Sequence, residues 1–128
     1  MGIEENKRAA KQFLSGMMNS PDFSMVADDV EWWLQGRGTF NREQVEGGVG
    51  IFPSATVKME IDHITAEDDR VAVAAHSDGL LKDGLIYQNT YNFLFFFRDG
   101  KIVKTREYYD TAYAREIFPN GLVGSGLD

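Results

Sequence analysis

The stretch YQNTYNFLFFFRDGKIVKTREYYD, residues 87–110, constrains the fold more than any other part of the sequence. Two runs rich in aromatic and β-branched residues flank Asp99-Gly100, a dipeptide typical of β-hairpin turns. The stretch therefore predicts two antiparallel strands. Both strands also carry polar side chains well inside them, among them Asn89 and Glu107, and this pattern predicts that one face of the hairpin lines a cavity.

The register of this hairpin decides which side chains share a face, because a slip of one residue moves every side chain to the opposite face. A two-residue turn would place Phe95 opposite Lys104 and mix aromatic with cationic side chains. A three-residue turn, with Gly100 in a left-handed bulge, segregates them and pairs Tyr91 with Glu107. We adopt this second register. It predicts that Glu107 lies on the aromatic face, beside Tyr91.

Helical spacing of apolar residues dominates the first half of the chain. It predicts a helix over residues 3–18, and Pro21 at a first helical position predicts a short second helix. DDVEWWLQGRG, from Asp28, predicts a strand. Asn41 and Gln44 have the spacing of a capping box and predict a third helix. The buried stripe of that helix would comprise Val45, Val49 and Phe52.

The period changes to two from residue 57 onward. Val57, Met59, Ile61 and His63 alternate with charged residues and predict a half-buried strand. A second strand is predicted over residues 70–79, before the hairpin. Asp110 or Thr111 can cap a last helix, TAYAREIF.

The order of these elements is helix, helix, strand, helix and then four antiparallel strands, which indicates an α+β fold. We expect a curved, mostly antiparallel sheet wrapped around the N-terminal helices, so that helices over a concave sheet form a cone with room for a ligand. A chain of 128 residues predicts one domain over residues 1–128. Its core would span about residues 5–118, followed by a Gly-rich tail over residues 119–128.

Composition narrows the function classes. The net charge of -7 disfavours nucleic acid and anionic membrane as partners. The absence of cysteine excludes disulfides, thiolate metal sites and Cys nucleophiles. The two histidines lack metal-ligand spacing, so we expect no metal, and no cofactor motif is present. A charged N-terminus without an apolar signal core, and no apolar run long enough to span a bilayer, favour a cytoplasmic protein.

Glu107 is the candidate catalytic residue. On an aromatic face, a carboxylate is either a structural acid held by a Tyr hydroxyl or an Arg, or a pocket acid whose desolvation raises its pKa. In the second case it would act as general acid or base, with Tyr91 as its catalytic neighbour.

The candidate ligand-binding residues share the faces expected to point into the cone. Tyr and Asn side chains over an apolar base suit a small, mostly apolar or aromatic, oxygenated molecule, although they could equally bond backbone or one another. His63 is either a satisfied core or edge histidine or, if it points inward, an acid or base near neutral pH. His76 is assigned to the outer face or a dimer interface. The ligand-binding set is Trp32, His63, Ser77, Tyr87, Asn89, Phe93 and Tyr109.

The order of elements, together with DDVEWW, the AHSDG…DG…Y-N-Y run and DGKIVKTREYYD, resembles the SnoaL-like proteins of the nuclear-transport-factor-like superfamily. That superfamily includes ketosteroid isomerase, scytalone dehydratase and limonene epoxide hydrolase. The resemblance implies a cone-shaped α+β barrel of cystatin-like architecture, usually a homodimer through the sheet. Because the fold hosts many chemistries and also proteins with none, it does not give the function.

Family residues match this chain unevenly. Glu107 in REYYD occupies the place of the acid in the epoxide hydrolase motif R-D-Y-F-D, but Trp32 and Leu34 replace that branch's Tyr and Asn. The end of the first strand carries no acid where the isomerase has its Asp. The cyclase branch pairs a His with an Asp; Glu107 can be the acid, but no His clearly matches. Epoxide opening and steroid isomerisation by these mechanisms are therefore not expected.

Three functions remain open from the sequence. The first is a cofactor-independent isomerase, cyclase, dehydratase or hydrolase, in which Glu107 moves a proton and Tyr91 or Asn89 binds the substrate oxygen. The second is a binding protein with the same pocket and no turnover. The third is an interaction module acting through a homodimer surface with Tyr108, Leu94 and Phe96 on the sheet's outer face.

Overall fold

The computed structural model describes residues 2–48, 56–81 and 84–118. The helices are α1 (Ile3–Gly16), α2 (Arg42–Glu46) and α3 (Thr111–Ile117), and the strands are β1 (Val26–Leu34), β2 (Gly38–Phe40), β3 (Lys58–Glu67), β4 (Arg70–Leu80), β5 (Ile86–Tyr87), β6 (Thr90–Arg98) and β7 (Lys101–Tyr109). The predicted α+β class is confirmed. The predicted tail over residues 119–128, and Val49 and Phe52 of the predicted third helix, lie outside the described residues.

The strands form one curved sheet that does not close, in the order β2-β1-β7-β6-β4-β3, with β5 paired to β4. All neighbours are antiparallel except β1 and β7, which are parallel. The concave inner face packs against α1, giving a cone. From α1 the core receives Ala10, Phe13 and Leu14. None of the described helices is both long and apolar enough to cross a membrane.

The hairpin of β6 and β7 differs from its predicted register. Arg98 pairs with Lys101 across a two-residue turn, in which Asp99 and Gly100 both have positive φ (51° and 79°). Such a turn matches the twist of the strands. The register then shifts at Val103, an extra residue on β7, and Glu107 pairs with Phe93 rather than Tyr91. The three-residue turn was therefore wrong.

The predicted face of Glu107 is nevertheless right. Beyond Val103 the predicted and observed registers differ by two residues, because a shorter turn is combined with a bulge, and a shift of two preserves the face of a side chain. Before the bulge they differ by one, so Phe97 pairs with Ile102 rather than with Lys101. Glu107 is buried on the same inner face as Phe93, Phe95 and Thr105.

β3 contains a second bulge, and it overturns the prediction for His63. Ile61 pairs with Ala75, but His63 pairs with Ala74, so Asp62 is an extra residue that reverses the alternation. His63 is exposed on the outer face of the sheet. The expectation that it lies in phase with Ile61 and lines the pocket is wrong, because strict alternation does not survive an inserted residue.

The segment before β1 also differs from the sequence prediction. Instead of a second α-helix following Pro21, a single turn of 3-10 helix spans Phe23–Met25, and the Asp22 side chain accepts a hydrogen bond from the Ser24 backbone N–H. Strand β1 then begins at Val26, before the predicted Asp28. Two caps were predicted correctly. Asn41 and Gln44 form a capping box at α2, and Asp110 caps α3.

Gly79, near the end of β4, lies where the chain before β3 crosses closely. A Cβ atom added there would lie 1.9 Å from the backbone oxygen of Thr56 and 2.5 Å from the Cα of Val57. No side chain fits at that distance, so only glycine allows this approach of the two backbones.

Candidate functional site

Glu107 lies near the end of β7, on the inner face, between Phe93 of β6 and Leu34 of β1. Its side chain is enclosed by the core and is 3% exposed. The alternation of β7 after the Val103 bulge carries Thr105 and Glu107 inward together. A carboxyl group is therefore placed among large aromatic side chains, where charge is costly.

The only hydrogen bond that the Glu107 carboxyl group receives from the described residues comes from Trp32, whose Nε1–H donates to Oε1 at 3.0 Å. No described Lys, Arg or His forms an ion pair with this carboxyl. Burial raises the pKa of Glu107 from 4.5 to about 8, and the Trp32 bond opposes that rise only in part. At neutral pH the group is thus mainly a protonated acid, and it can release its proton in mildly alkaline solution.

A cluster of neutral hydrogen-bonding groups lies on the same inner face, contributed by β4, β5, β6 and the segment that joins β5 to β6. The hydroxyls of Ser77 and Tyr91 are 2.9 Å apart. The backbone N–H of Asn89 donates to Ser77 Oγ at 3.2 Å, and its side-chain Nδ2 donates to the Tyr87 hydroxyl at 3.0 Å. We call Ser77, Tyr87, Asn89 and Tyr91 the hydroxyl cluster.

The hydroxyl cluster stays protonated across the physiological range. Burial raises the pKa of Tyr91 well above its usual value, and burial raises the pKa of Tyr87 as well. The nearby Glu107 carboxylate, when ionised, adds to both shifts. These groups can therefore donate hydrogen bonds to an oxygen atom but are not themselves bases near pH 7.

Aromatic rings line the interior beside the polar groups. Tyr91 stacks on Phe93 at 5.5 Å between ring centroids, and Phe93 stacks on Phe95 at 5.6 Å. Phe13 of α1 packs against both Trp32 and Phe95. The inner face thus changes from apolar near Phe95 to polar near Tyr91 and Glu107.

Most of the predicted site residues come together on this face. Trp32, Ser77, Tyr87, Asn89, Tyr91, Phe93 and Glu107 are all buried there. Tyr109 is partly buried and pairs with Tyr91 across the hairpin. Burial raises its pKa to about 12. His63 does not belong to the site.

His76 lies on the outer face, as predicted, in a cluster with two acids of β3. Its Nδ1 is 2.9 Å from the Asp62 carboxylate, and its Nε2 is 3.3 Å from Glu60. The hydrogen bond that the His76 ring donates to the Asp62 carboxylate raises the pKa of His76 above its ordinary value. This cluster is separated from Glu107 by the thickness of the sheet.

Two buried polar side chains were not predicted as site residues. Asn6 on α1 and Thr105 on β7 are both buried, and Asn6 Oδ1 and Thr105 Oγ1 have no hydrogen-bond partner within the described ranges. The sequence did carry a signal for Asn6, since it precedes Ala10 by four residues and Phe13 by seven and so shares their face. In the part of the chain that the structure describes, no group of three His, Asp or Glu could hold a metal ion.

Comparison with known sequences places the chain in a family. A model of the SnoaL-like domain matches residues 20–105, which is more than half of the 128 residues. The chain belongs to the SnoaL-like family. The resemblance noted from its motifs is therefore confirmed. No curated protein sequence matches the chain.

Solved structures agree with this SnoaL-like fold. A protein from Jannaschia sp. CCS1, assigned as a SnoaL-like polyketide cyclase, has a TM-score of 0.75 at 14% identity, covering 88% of this chain and 90% of that one. TerC, co-crystallised with polyporic acid, has a TM-score of 0.69 at 19% identity, with coverages of 91% and 99%. An NTF2-like protein of unknown function from Burkholderia pseudomallei has a TM-score of 0.63 at 19% identity, covering 88% of this chain and 91% of that one. At such identities the likeness shows the fold alone.

Proposed function

We propose that this SnoaL-like protein binds a small, mostly apolar, oxygenated molecule and catalyses a proton transfer on it with Glu107, without a cofactor. One observation carries the proposal: a buried carboxyl group with an indole as its only described hydrogen-bond partner lies beside a cluster of neutral hydroxyl donors. A carboxyl group that is neither paired with a cation nor exposed to water is typical of an acid or base in catalysis.

The two kinds of group would have different roles. Protonated Glu107 would deliver its proton to the substrate and, once ionised, would remove one elsewhere on the same molecule. Tyr91 would donate a hydrogen bond to the substrate oxygen and stabilise negative charge developing there. Asn89 already donates both hydrogens of Nδ2, to the Tyr87 hydroxyl and to the Asp110 backbone oxygen. Isomerisation, cyclisation, dehydration and hydrolysis all need proton transfer and stabilisation of negative charge on an oxygen atom. The class of reaction is therefore acid–base chemistry at or next to a carbon–oxygen bond.

The aromatic wall limits the substrate class. Stacked rings at Tyr91, Phe93 and Phe95 favour a flat or aromatic molecule, and the hydroxyl cluster favours one with one or two oxygen atoms. The polyporic acid of the TerC crystals and the cyclase assignment of the Jannaschia protein lend support to a ligand of this kind.

Replacing Glu107 by glutamine tests the catalytic role. Wild-type protein would be incubated with a panel of hydroxylated quinones and aromatic ketones, with products followed by mass spectrometry. For any compound that turns over, Glu107→Gln should lower the rate by about 10²–10⁴-fold, the usual contribution of general acid–base catalysis, while its binding changes little. Glu116→Gln, on the exposed side of α3, is the matched control. Equal turnover by wild type and Glu107→Gln would refute the catalytic role.

A binding protein with the same interior is the second candidate. It is favoured by the satisfied bonds of the hydroxyl cluster, which would give a rigid site without needing any reaction. The same panel distinguishes the two, because ligand-dependent stabilisation without any product would be expected from a binding protein.

We also propose that the protein forms a homodimer through the outer face of the sheet. That face carries partly exposed Leu94, Phe96 and Tyr108, and Arg106 lies over the Trp33 ring at 3.9 Å. Cations of β7 lie towards one side of the face, whereas the acids of β3 lie at its other edge. A two-fold axis along the strands would set β7 of one copy over β3 of the other, so that opposite charges meet.

A further inference from the structure

The bond between Trp32 and Glu107 depends on the parallel pairing of β1 with β7. Trp32 pairs with Thr105 and Leu34 pairs with Glu107, so the two side chains are diagonal neighbours on the inner face. Trp32 is fully buried, and its ring packs against Phe13 at 5.9 Å between centroids. The indole has little freedom to move, and its N–H is directed at the carboxyl group.

The indole can only donate a hydrogen bond, and this gives the two carboxyl oxygens of Glu107 different roles. An indole Nε1–H is only a donor, so Glu107 Oε1 must accept, whether the carboxyl group is neutral or ionised. In the neutral acid the carbonyl oxygen is the better acceptor, so the bond to Oε1 favours the proton on Oε2. Because Oε1 already has its partner, Oε2 is the oxygen left to face a ligand.

We propose that Trp32 is the positioning residue of the site, holding Oε1 of Glu107 so that Oε2 alone gives and takes the proton. The inference rests on the proposed function of Glu107 for its catalytic meaning, but the bond itself can be tested without any substrate.

The other groups near Glu107 do not compete for this role. The titratable side chains that act on its surroundings are Tyr87 of β5, Tyr91 of β6 and Tyr109 of β7, each with a pKa raised by burial. They stay neutral while Glu107 titrates, and no cation among the described residues pairs with the carboxyl group. The indole is therefore the group that favours the ionised form of Glu107.

Nuclear magnetic resonance of the two indole N–H groups tests the proposal in the wild-type protein. The chain has two tryptophans, and Trp33 lies on the opposite face of β1 as an internal control. The Trp32 indole signal should shift downfield as the pH rises from 6 to 10, with a midpoint near the pKa of Glu107, and should stop titrating in Glu107→Gln. The Trp33 signal, assigned with Trp33→Phe, should not follow that midpoint. A Trp32 signal that does not change with pH would overturn the proposal.

A substitution gives the second readout. Trp32→Phe keeps an aromatic ring but removes the donor, so the pKa of Glu107, measured from its ¹³C carboxyl signal, should rise by about one to two, as expected for a lost bond to a charged group. Phe13→Leu loosens the packing around Trp32 without touching the bond and should leave that pKa within about 0.3 of wild type.

The outcomes separate this inference from the proposed function. A pKa unchanged in Trp32→Phe would refute the positioning role, even if Glu107→Gln had abolished turnover. An indole that titrates with Glu107, in a protein that turns nothing over, would leave the bond established and the catalytic function refuted. If Trp32→Phe does not fold, the wild-type titration alone decides.

Discussion

At Glu107, the cost of removing a carboxylate from water is met by keeping the group neutral rather than by pairing it with a cation. The Trp32 indole is its one described partner, and a single donor does not compensate for full desolvation. The hydroxyl cluster is likewise kept neutral, and its members form hydrogen bonds with one another instead of with solvent. Polar residues are thus kept inside the cone in their uncharged forms.

Stability should therefore fall as the pH rises through the pKa of Glu107. Its folded-state pKa of about 8 lies above the unfolded value near 4.5, so the folded protein binds the proton more tightly, and this contribution to stability is present below pH 4.5 and is lost as the pH rises through about 8. Glu107→Gln should match wild type at pH 4 and exceed its free energy of unfolding by up to roughly 4–5 kcal/mol at pH 9. Urea unfolding at pH 4, 7 and 9 measures this. A difference that does not vary with pH would contradict it, and Glu116→Gln serves as the exposed control.

Removing the Ser77 hydroxyl should cost more than an ordinary surface hydroxyl. Ser77→Ala deprives both the Asn89 N–H and the Tyr91 hydroxyl of a buried partner, which should lower the free energy of unfolding by about 1–3 kcal/mol. Ser15→Ala removes an exposed hydroxyl that bonds Gln12 and should change stability by less than about 0.5 kcal/mol. Thermal unfolding of the pair is the measurement, and equal melting temperatures would show that the cluster is not satisfied as described.

At the scale of elements, local patterns predicted most strands and helices, and bulges account for much of what they missed. The alternation in β4 and β6 was enough to place Ser77 and Tyr91 on one face. Glu107 was placed there correctly only because the shorter turn and the bulge of β7 offset one another. The alternation failed to predict the face of His63, because nothing in the sequence around Asp62 indicates that Asp62 is the extra residue of a bulge. In a hairpin, one residue can be accommodated either in the turn or as a bulge in a strand. Asp99-Gly100 therefore predicted the hairpin without fixing its register.

The contact between β4 and the chain before β3 should be intolerant of any side chain. Gly79→Ala would place a Cβ within 2.5 Å of backbone atoms of Thr56 and Val57, and moving that backbone should cost about 1–3 kcal/mol or more. Gly16→Ala is the matched control, since nothing lies within 4 Å of its Cβ position and alanine favours a helix by up to about 1 kcal/mol. Chemical unfolding of both variants decides; a neutral Gly79→Ala would show that the two backbones separate easily.

At the scale of the molecule, the site is made by one pairing that local patterns do not reveal. Trp32 and Glu107 are 75 positions apart and meet because β1 runs parallel to β7. Periodicity predicts which face a side chain takes within its own strand, but not which strands become neighbours. The order of elements and the family resemblance predict the cone, whereas the bond inside it is evident only from the three-dimensional structure.

The proposed homodimer should dissociate when a charge is placed at the centre of the sheet's outer face. If the homodimer forms as proposed, native mass spectrometry should give a dimer for wild type, and Phe96→Lys should shift it to monomer by burying an unpaired charge at the interface. Lys11→Glu changes an exposed residue of α1, away from this face, and should leave the dimer intact. A wild-type mass of one chain would already refute the proposal.

The bulges at Asp62 and Val103 also bear on how this chain can be compared with its relatives. Each is an extra residue within a strand, so a chain that lacked either one would still present the same neighbours to the interior, Ile61 and Ile64 in β3 and Ile102 and Thr105 in β7. An alignment that forbids gaps inside strands would put every later position of β7 out of step, Glu107 included. Matching the acid of one family member to that of another therefore requires that single-residue gaps be allowed within strands.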